Sequence, residues 1–150
     1  MDAFSKHSAC FLIGLLQGGA ASACMCSIFG PEAQYGVAAY VVHARVVGLS
    51  KAGASGTTAA RIVADIGTIE QYKGKSGKLP QVFVREWYLG SSCRAEVVDL
   101  EFDRTYIFFV NAEGEAQPCS GSRQWLVEDP TSEQLRATLR RLRDATKSVP

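Results

Sequence analysis

Residues 104–110 read RTYIFFV, and this run gives the strongest β-strand signal in the chain. Aromatic and β-branched side chains dominate it, and such side chains favour the pleated, half-buried surface of a sheet. The next five residues, 111–115, read NAEGE and predict a hairpin turn. The returning segment then passes Cys119. This part of the chain therefore favours an antiparallel β-structure.

Four further runs have the composition and alternation of strands. They are residues 40–47 (YVVHARVV), 61–71, 81–87 (QVFVREW) and 94–98. Residues 49–58, which are rich in Gly and Ser, and the polar run KGKSGK at 73–78 are expected to be loops. The sequence therefore predicts about five short strands separated by loops.

Only the C-terminal part of the chain has a helical pattern. Asp129 and Pro130 form a start signal, and an apolar stripe follows at Leu135, Leu139 and Leu142. A helix is predicted over about 130–146. Its remaining long side chains include a cluster of arginines interrupted by acidic residues, which is typical of a solvated face. These arginines are Arg136, Arg140, Arg141 and Arg143.

This order of elements indicates an all-β fold with a C-terminal helix. A parallel sheet would need crossover helices between its strands, and the sequence predicts none there. Five strands closed by one helix favour a small, OB-fold-like closed β-barrel. We therefore expect residues 24–150 to form one domain of this kind.

Composition and charge exclude several classes of function. The chain has 150 residues, with 16 Lys and Arg against 15 Asp and Glu, so its net charge is +1. Such a balance gives no field for holding nucleic acid or an anionic membrane. No dinucleotide or phosphate-binding loop is present, so no cofactor is expected. Beyond residue 23 the one histidine is His43, which is expected to be a strand residue without chemistry, and we expect no enzyme activity.

The first 23 residues have the pattern of a secretory signal peptide. A short polar start is followed by the apolar run 9–16, which is too short to span a membrane. Ala21, Ser22 and Ala23 supply the small residues that precede a cleavage site. We therefore expect cleavage after Ala23, a protein that begins at Cys24, and a secreted or periplasmic location.

Cysteine spacing predicts a disulfide framework. Of the five cysteines, Cys10 leaves with the signal peptide, and an even set of four remains at Cys24, Cys26, Cys93 and Cys119. A Cys-x-Cys pair seldom bridges itself, so Cys24 and Cys26 should each reach one of the distant cysteines. Two connectivities remain open. The Cys-x-x-Cys spacing of a four-cysteine zinc site is absent, so the chain is expected to hold no metal of its own.

These features together resemble the tissue inhibitors of metalloproteinases and the wider group of netrin-like domains. Besides the Cys-x-Cys start, the resemblance rests on motifs that occur in the same order from about residue 24 to 143. They are YVVHARVVG (40–48), YKG (72–74), VFV (82–84), SSC (91–93), TYIFFV (105–110) and PCSG (118–121), followed by Trp125 and a helix. The short, two-bridge form resembles single-domain bacterial members of the family.

The resemblance implies a secreted inhibitor of zinc metalloproteases. In that family the free α-amine and the carbonyl of the first cysteine, here Cys24, chelate the zinc of the protease. Met25 would enter the specificity pocket beside the zinc, with Cys26 following it. The family pairing would be Cys24 with Cys93 and Cys26 with Cys119.

The same resemblance implies a second contact segment. The loop that precedes and includes the third cysteine of the secreted chain would pack beside the N-terminal residues against the protease. In this sequence the loop comprises Gly90, Ser91, Ser92 and Cys93. The partner implied is thus a zinc metalloprotease acting in trans.

A different class of function is also open. Many netrin-like domains bind partners without inhibiting a protease, generally because residues precede the first cysteine. A lipid on Cys24, or cleavage after Ala21, would block the N-terminus in this way. The alternative is therefore a protein-binding module of the extracellular space or cell envelope, lipid-anchored in one form.

Overall fold

The computed structural model describes residues 30–54, 56–57, 59–75, 77, 79–89 and 98–148. Within them the chain forms three helices and five strands. In chain order these are α1 (Pro31–Val37), β1 (Tyr40–Ala52), β2 (Arg61–Lys73), β3 (Gln81–Arg85), α2 (Glu86–Leu89), β4 (Thr105–Val110), β5 (Arg123–Gln124) and α3 (Pro130–Lys147).

The strands form one antiparallel sheet in the order β3-β2-β1-β4-β5. Its longest pairing joins β1 and β2 in a hairpin, and Ala52 pairs with Arg61 at the end of that hairpin. The strand predicted at 40–47 therefore continues to Ala52, and the loop predicted at 49–58 is correspondingly shorter. The strand predicted at 61–71 is confirmed and continues to Lys73.

The other elements partly follow the sequence prediction. The run with the strongest strand signal forms β4. The predicted C-terminal helix is confirmed as α3, which begins at Pro130 and ends at Lys147. The strand predicted at 81–87 ends at Arg85 and turns into α2. Of the strand predicted at 94–98, residues 94–97 lie outside the described residues, and Val98 is not in a strand.

The helix α1 is absent from the sequence prediction, which assigned helix only to the C-terminus. Pro31 occupies its first turn, where a missing N–H costs nothing, and Gly30 O accepts hydrogen bonds from Ala33 N and Gln34 N. A tertiary contact holds it, because Tyr35 is buried and its hydroxyl donates to Tyr72 O at 2.9 Å. This seven-residue helix therefore depends on packing and not on its own propensity.

The predicted closed barrel is not supported. The sheet is open, because no ladder joins the edge strands β3 and β5 in the part of the chain that the structure describes. One isolated parallel bridge links Phe83 of β3 to Glu115, where Phe83 N donates to Gly114 O and Phe83 O accepts from Ala116 N. The two-residue length of β5 leaves too few pairing groups to close the sheet.

Two apolar cores lie on opposite faces of the sheet. The inner core contains Val42, Ala44 and Val46 of β1 together with Tyr106 and Phe108 of β4. The outer core takes the alternate residues of the same strands and packs them under the helices. Its members are Tyr35, Ala38, Val41, Tyr72, Ile107, Phe109, Trp125, Leu135 and Leu139.

The alternation along β1 and β4 thus buries both faces, and α1 and α3 cover the outer one. No helix in the described ranges is long and apolar enough to cross a membrane.

Candidate functional site

The site residues predicted from the sequence lie outside the described residues. They are Cys24, Met25, Cys26, Gly90, Ser91, Ser92 and Cys93. Their roles, and the pairings Cys24–Cys93 and Cys26–Cys119, therefore stay predictions. The structure does describe the segments that precede or follow them along the chain.

The described chain starts at Gly30, four residues after Cys26, and enters α1 beside the loop that carries Cys119. Gln34 of α1 lies against Gly121, where a Cβ would overlap the Gln34 side chain. Gly121 also has a φ of +89°, which L-residues rarely adopt. Both the close approach of Gln34 and this backbone conformation therefore favour glycine at position 121. Cys119 itself has a φ of +63° and is disulfide-bonded.

Lysine 73 fixes the other end of α1. Lys73 Nζ donates to Tyr35 O at 2.7 Å and to Gly36 O at 2.9 Å, so it satisfies carbonyls at the C-terminal end of the helix. Burial lowers the pKa of Lys73. The segment that follows the predicted N-terminal site is therefore held on the sheet by side-chain, backbone and apolar contacts.

The segment before the predicted Gly90–Cys93 loop is also anchored. Glu86 N donates to Ala60 O at 2.9 Å, and Lys51 Nζ donates to the Glu86 carboxylate at 2.8 Å. Leu89, the last residue of α2, packs against the inner core. This end of the loop is thus fixed to β2 and to the hairpin end of β1.

A cluster of arginines on α3 converges on one carboxylate of β2, Glu70. Arg140 donates through Nε and Nη2 to the two Glu70 oxygens at 2.9 and 2.8 Å, and Arg143 Nη1 donates to Oε1 at 2.9 Å. Arg136 Nε lies 3.8 Å from Oε2, and the Tyr72 hydroxyl donates to the same oxygen at 3.2 Å. The predicted solvated face is therefore wrong for three of its four arginines.

The arginines lower the pKa of Glu70 and so keep its carboxylate ionised. The hydrogen bond from Arg140 is the largest cause that lowers the pKa of Glu70, which falls from 4.5 to about 2. Burial, followed by the charge of Glu70, raises the pKa of Tyr72. Both groups thus keep one protonation state across the physiological range.

The same cluster is close to neutral as a whole. Arg136 also pairs with Glu133 at 3.3 Å, and Arg143 pairs with Asp144 at 3.1 Å. Three cations therefore face three carboxylates, and no net charge is left to attract an anion. The arrangement holds α3 against β2, which is a positioning role.

His43 of β1 lies beside Trp125 and interacts with the charges of this cluster. It is 6% exposed, and its ring centroid is 4.7 Å from that of Trp125. Its Nε2 is buried and has no hydrogen-bond partner among the described residues. Burial, then the charge of Arg136, lowers the pKa of His43. The sequence placed His43 in a strand correctly but carried no signal for these neighbours, which are 82 and 93 positions away.

An open groove of about 610 Å³ is lined in part by Trp125. The start of β4 forms one wall, and the segment from Gln124 to Asp129 forms the other. Leu126 and Val127, at 53% and 81% exposed, border it. The backbone of Leu126 is fixed, because its N–H donates to Ser132 Oγ and its carbonyl accepts from Asp129 N. The loop that carries these two exposed apolar side chains is therefore held in place by hydrogen bonds of its backbone.

Within the described ranges, no group of three or more His, Cys, Asp or Glu side chains could hold a metal ion. No family model matches the chain, and no curated protein matches it. The functional interpretation therefore depends on the sequence motifs and on the contacts described above.

Proposed function

We propose that this chain is a secreted inhibitor of zinc metalloproteases that acts through a free N-terminus at Cys24. The α-amine and carbonyl of Cys24 occupy the open coordination position that a catalytic zinc keeps for water or substrate. Met25 fills the apolar pocket beside the zinc, since its side chain is long, flexible and apolar. The loop of Ser91, Ser92 and Cys93 packs alongside.

We call the segment Cys24–Cys26, which would enter the protease, the wedge. The observation that carries this proposal is that the chain is anchored soon after the wedge. Gly30 leads into α1, which packs against the loop of the disulfide-bonded Cys119. Four residues span at most about 14 Å, so a Cys26–Cys119 bridge is compatible with a chain that enters α1 beside that loop. A wedge fixed before binding avoids part of the entropy cost of association.

The chemistry of the amine sets a pH dependence. An α-amine donates its lone pair to zinc only when neutral, and its ordinary pKa is about 7.7 to 8.0. Inhibition should therefore weaken as the pH falls below that range. No step of this mechanism requires a cofactor or enzymatic turnover by the chain itself.

The test compares two N-termini on the same fold. The secreted protein is first sequenced from its N-terminus and weighed intact, to establish that Cys24 is free. Inhibition constants are then measured against a panel of zinc metalloproteases for this protein and for one with an alanine added before Cys24. A third protein carries the alanine after Pro150 as a matched control. We expect the N-terminal addition alone to abolish inhibition; equal inhibition by all three would refute the mechanism.

The groove beside Trp125 favours a second candidate, a non-inhibitory binding module. Leu126 and Val127 are the kind of exposed, held apolar side chains that mark protein-binding surfaces. A lipidated or extended Cys24 in the secreted protein would leave the groove as the functional surface. In that case the chain would be an extracellular or cell-envelope protein, and no protease in the panel would be inhibited.

A further inference from the structure

The buried histidine of β1 lies at the interface that holds α3 on the sheet. His43 is 6% exposed and packs against Trp125, and the Nε2 atom of its ring is buried without a hydrogen-bond partner in the described chain. The neutral ring fits this place, since a buried position and an aromatic contact suit an uncharged imidazole. An imidazolium would bring a second N–H that needs an acceptor and a charge that needs a counterion.

The charged groups that face His43 come from two elements. From α3 these are Arg136, Arg140 and Glu133, and from β2 the facing group is Glu70. The neighbours of His43 on β4 and after β5, which are Ile107 and Trp125, carry no charge. Glu70 is already bound by three guanidinium groups, so it would have to give up an arginine to accept from His43. Protonation thus adds a buried cation among groups that are already paired with one another, Arg136 with Glu133 and both Arg136 and Arg140 with Glu70.

We propose that His43 is an acid-sensitive switch whose protonation releases α3 from the outer face of the sheet. The cost of this buried, unpartnered charge falls on α3 because Arg136, Arg140 and Glu133, which face His43, are its own side chains. The inner core lies on the other face of the sheet, and the strand pairing of β1 with β2 and β4 does not involve α3, so both are retained. Release therefore affects the helix and leaves the sheet folded.

The pH window of this switch is separate from that of the arginine cluster. Folding lowers the pKa of His43 below its ordinary 6.5, so the unfolded chain binds the proton first, and stability falls as the pH drops below about 6.5. Glu70, with a pKa of about 2, stays ionised throughout that fall. A loss of α3 between pH 7 and pH 5 would therefore report His43.

The test measures amide hydrogen exchange along the whole secreted protein at pH 7.5 and pH 5.0, each corrected for the intrinsic exchange rate. We expect a severalfold loss of protection in α3 at pH 5.0, with β1 and β4 unchanged. The His43→Gln variant should show no such loss. Protection of α3 that is equal at both pH values, or an equal loss in His43→Gln, would overturn the proposal.

A second variant keeps the proposal testable if His43→Gln fails to fold. Arg136→Gln retains the histidine and removes the cation that most lowers the pKa of His43, so the midpoint of α3 release should move to lower pH. A midpoint that is unchanged or moves to higher pH would refute the part of Arg136 in the switch. In protein that retains residues 1–23, His7→Gln is the matched control and should leave the midpoint unchanged.

Discussion

Replacing Glu70 with Gln tests how strongly the arginine cluster holds α3. The substitution keeps the size of the side chain but removes the carboxylate to which Arg140 and Arg143 donate. Arg136, 3.8 Å from the same group, also loses its counter-charge. We expect the variant to fold, because the two cores are untouched, and to be less stable at neutral pH.

The pKa of Glu70 bounds the size of the effect. A fall from 4.5 to about 2 corresponds to at most about 3 kcal/mol of stability at neutral pH. Solvent reduces this figure, because Arg140 is 44% exposed and exposed ion pairs contribute little. We therefore expect Glu70→Gln to lower the free energy of unfolding by about 1.5 kcal/mol at pH 7.

The sign of the pH dependence provides the decisive measurement. A carboxylate whose pKa is lowered by folding stabilises the protein above its unfolded pKa, and this contribution is lost as the pH falls through the folded value. Urea unfolding without reductant should thus show a constant difference between wild type and variant above pH 5. The difference should vanish between about pH 4.5 and pH 2. Glu128→Gln, at an exposed residue without an ion pair in the described chain, is the matched control. Equal stability of Glu70→Gln and wild type at pH 7 would refute the reasoning.

Three further substitutions test the packing and the local signals. Leu139→Ala removes a side chain that is 0% exposed under α3 and should cost about 2 to 5 kcal/mol in urea unfolding; a cost below 1 kcal/mol would contradict the outer core. Asp129→Ala removes the carboxylate that accepts from Thr131 N at the start of α3, and should lower stability by about 1 kcal/mol with a faster exchange of the first-turn amides. Gly74→Ala places a Cβ on the Tyr40 ring at a φ of +93°, so the melting temperature should fall, whereas Gly56→Ala, with a φ of +78° but open space, should lower it less.

The parts of the fold that the sequence predicted are those with local signals. Strand β4 and helix α3 carry their own patterns, an aromatic and β-branched run in one and a start signal with spaced leucines in the other. The end of β1 was missed because Ser50 and Lys51 resemble loop residues, although they pair with Val63 and Ile62. Pairing partners on a neighbouring strand decide such cases, and a single-strand pattern does not contain them.

The arginine cluster lacked any local signal. Glu70 lies 66 to 73 positions before the three arginines that contact it, so spacing along α3 could not distinguish a solvated arginine from a docked one. Only Arg141 fits the original expectation, because it is 70% exposed and pairs with an exposed Glu32. The rest of the prediction failed because α3 packs against β2, a tertiary contact for which the sequence of α3 has no signal.

The two proposals meet at α1. This helix follows the proposed wedge at Cys24 and packs on α3, with Tyr35 and Leu139 in the same outer core. Release of α3 in acid would therefore weaken the packing that supports the wedge. Protonation of the α-amine would weaken zinc binding as a second, separate effect. The two effects separate in His43→Gln, which keeps the amine but lacks the switch. If both proposals hold, inhibition by wild type should weaken more steeply between pH 7 and pH 5 than inhibition by His43→Gln. Identical pH profiles would show that α3 does not support the N-terminal segment.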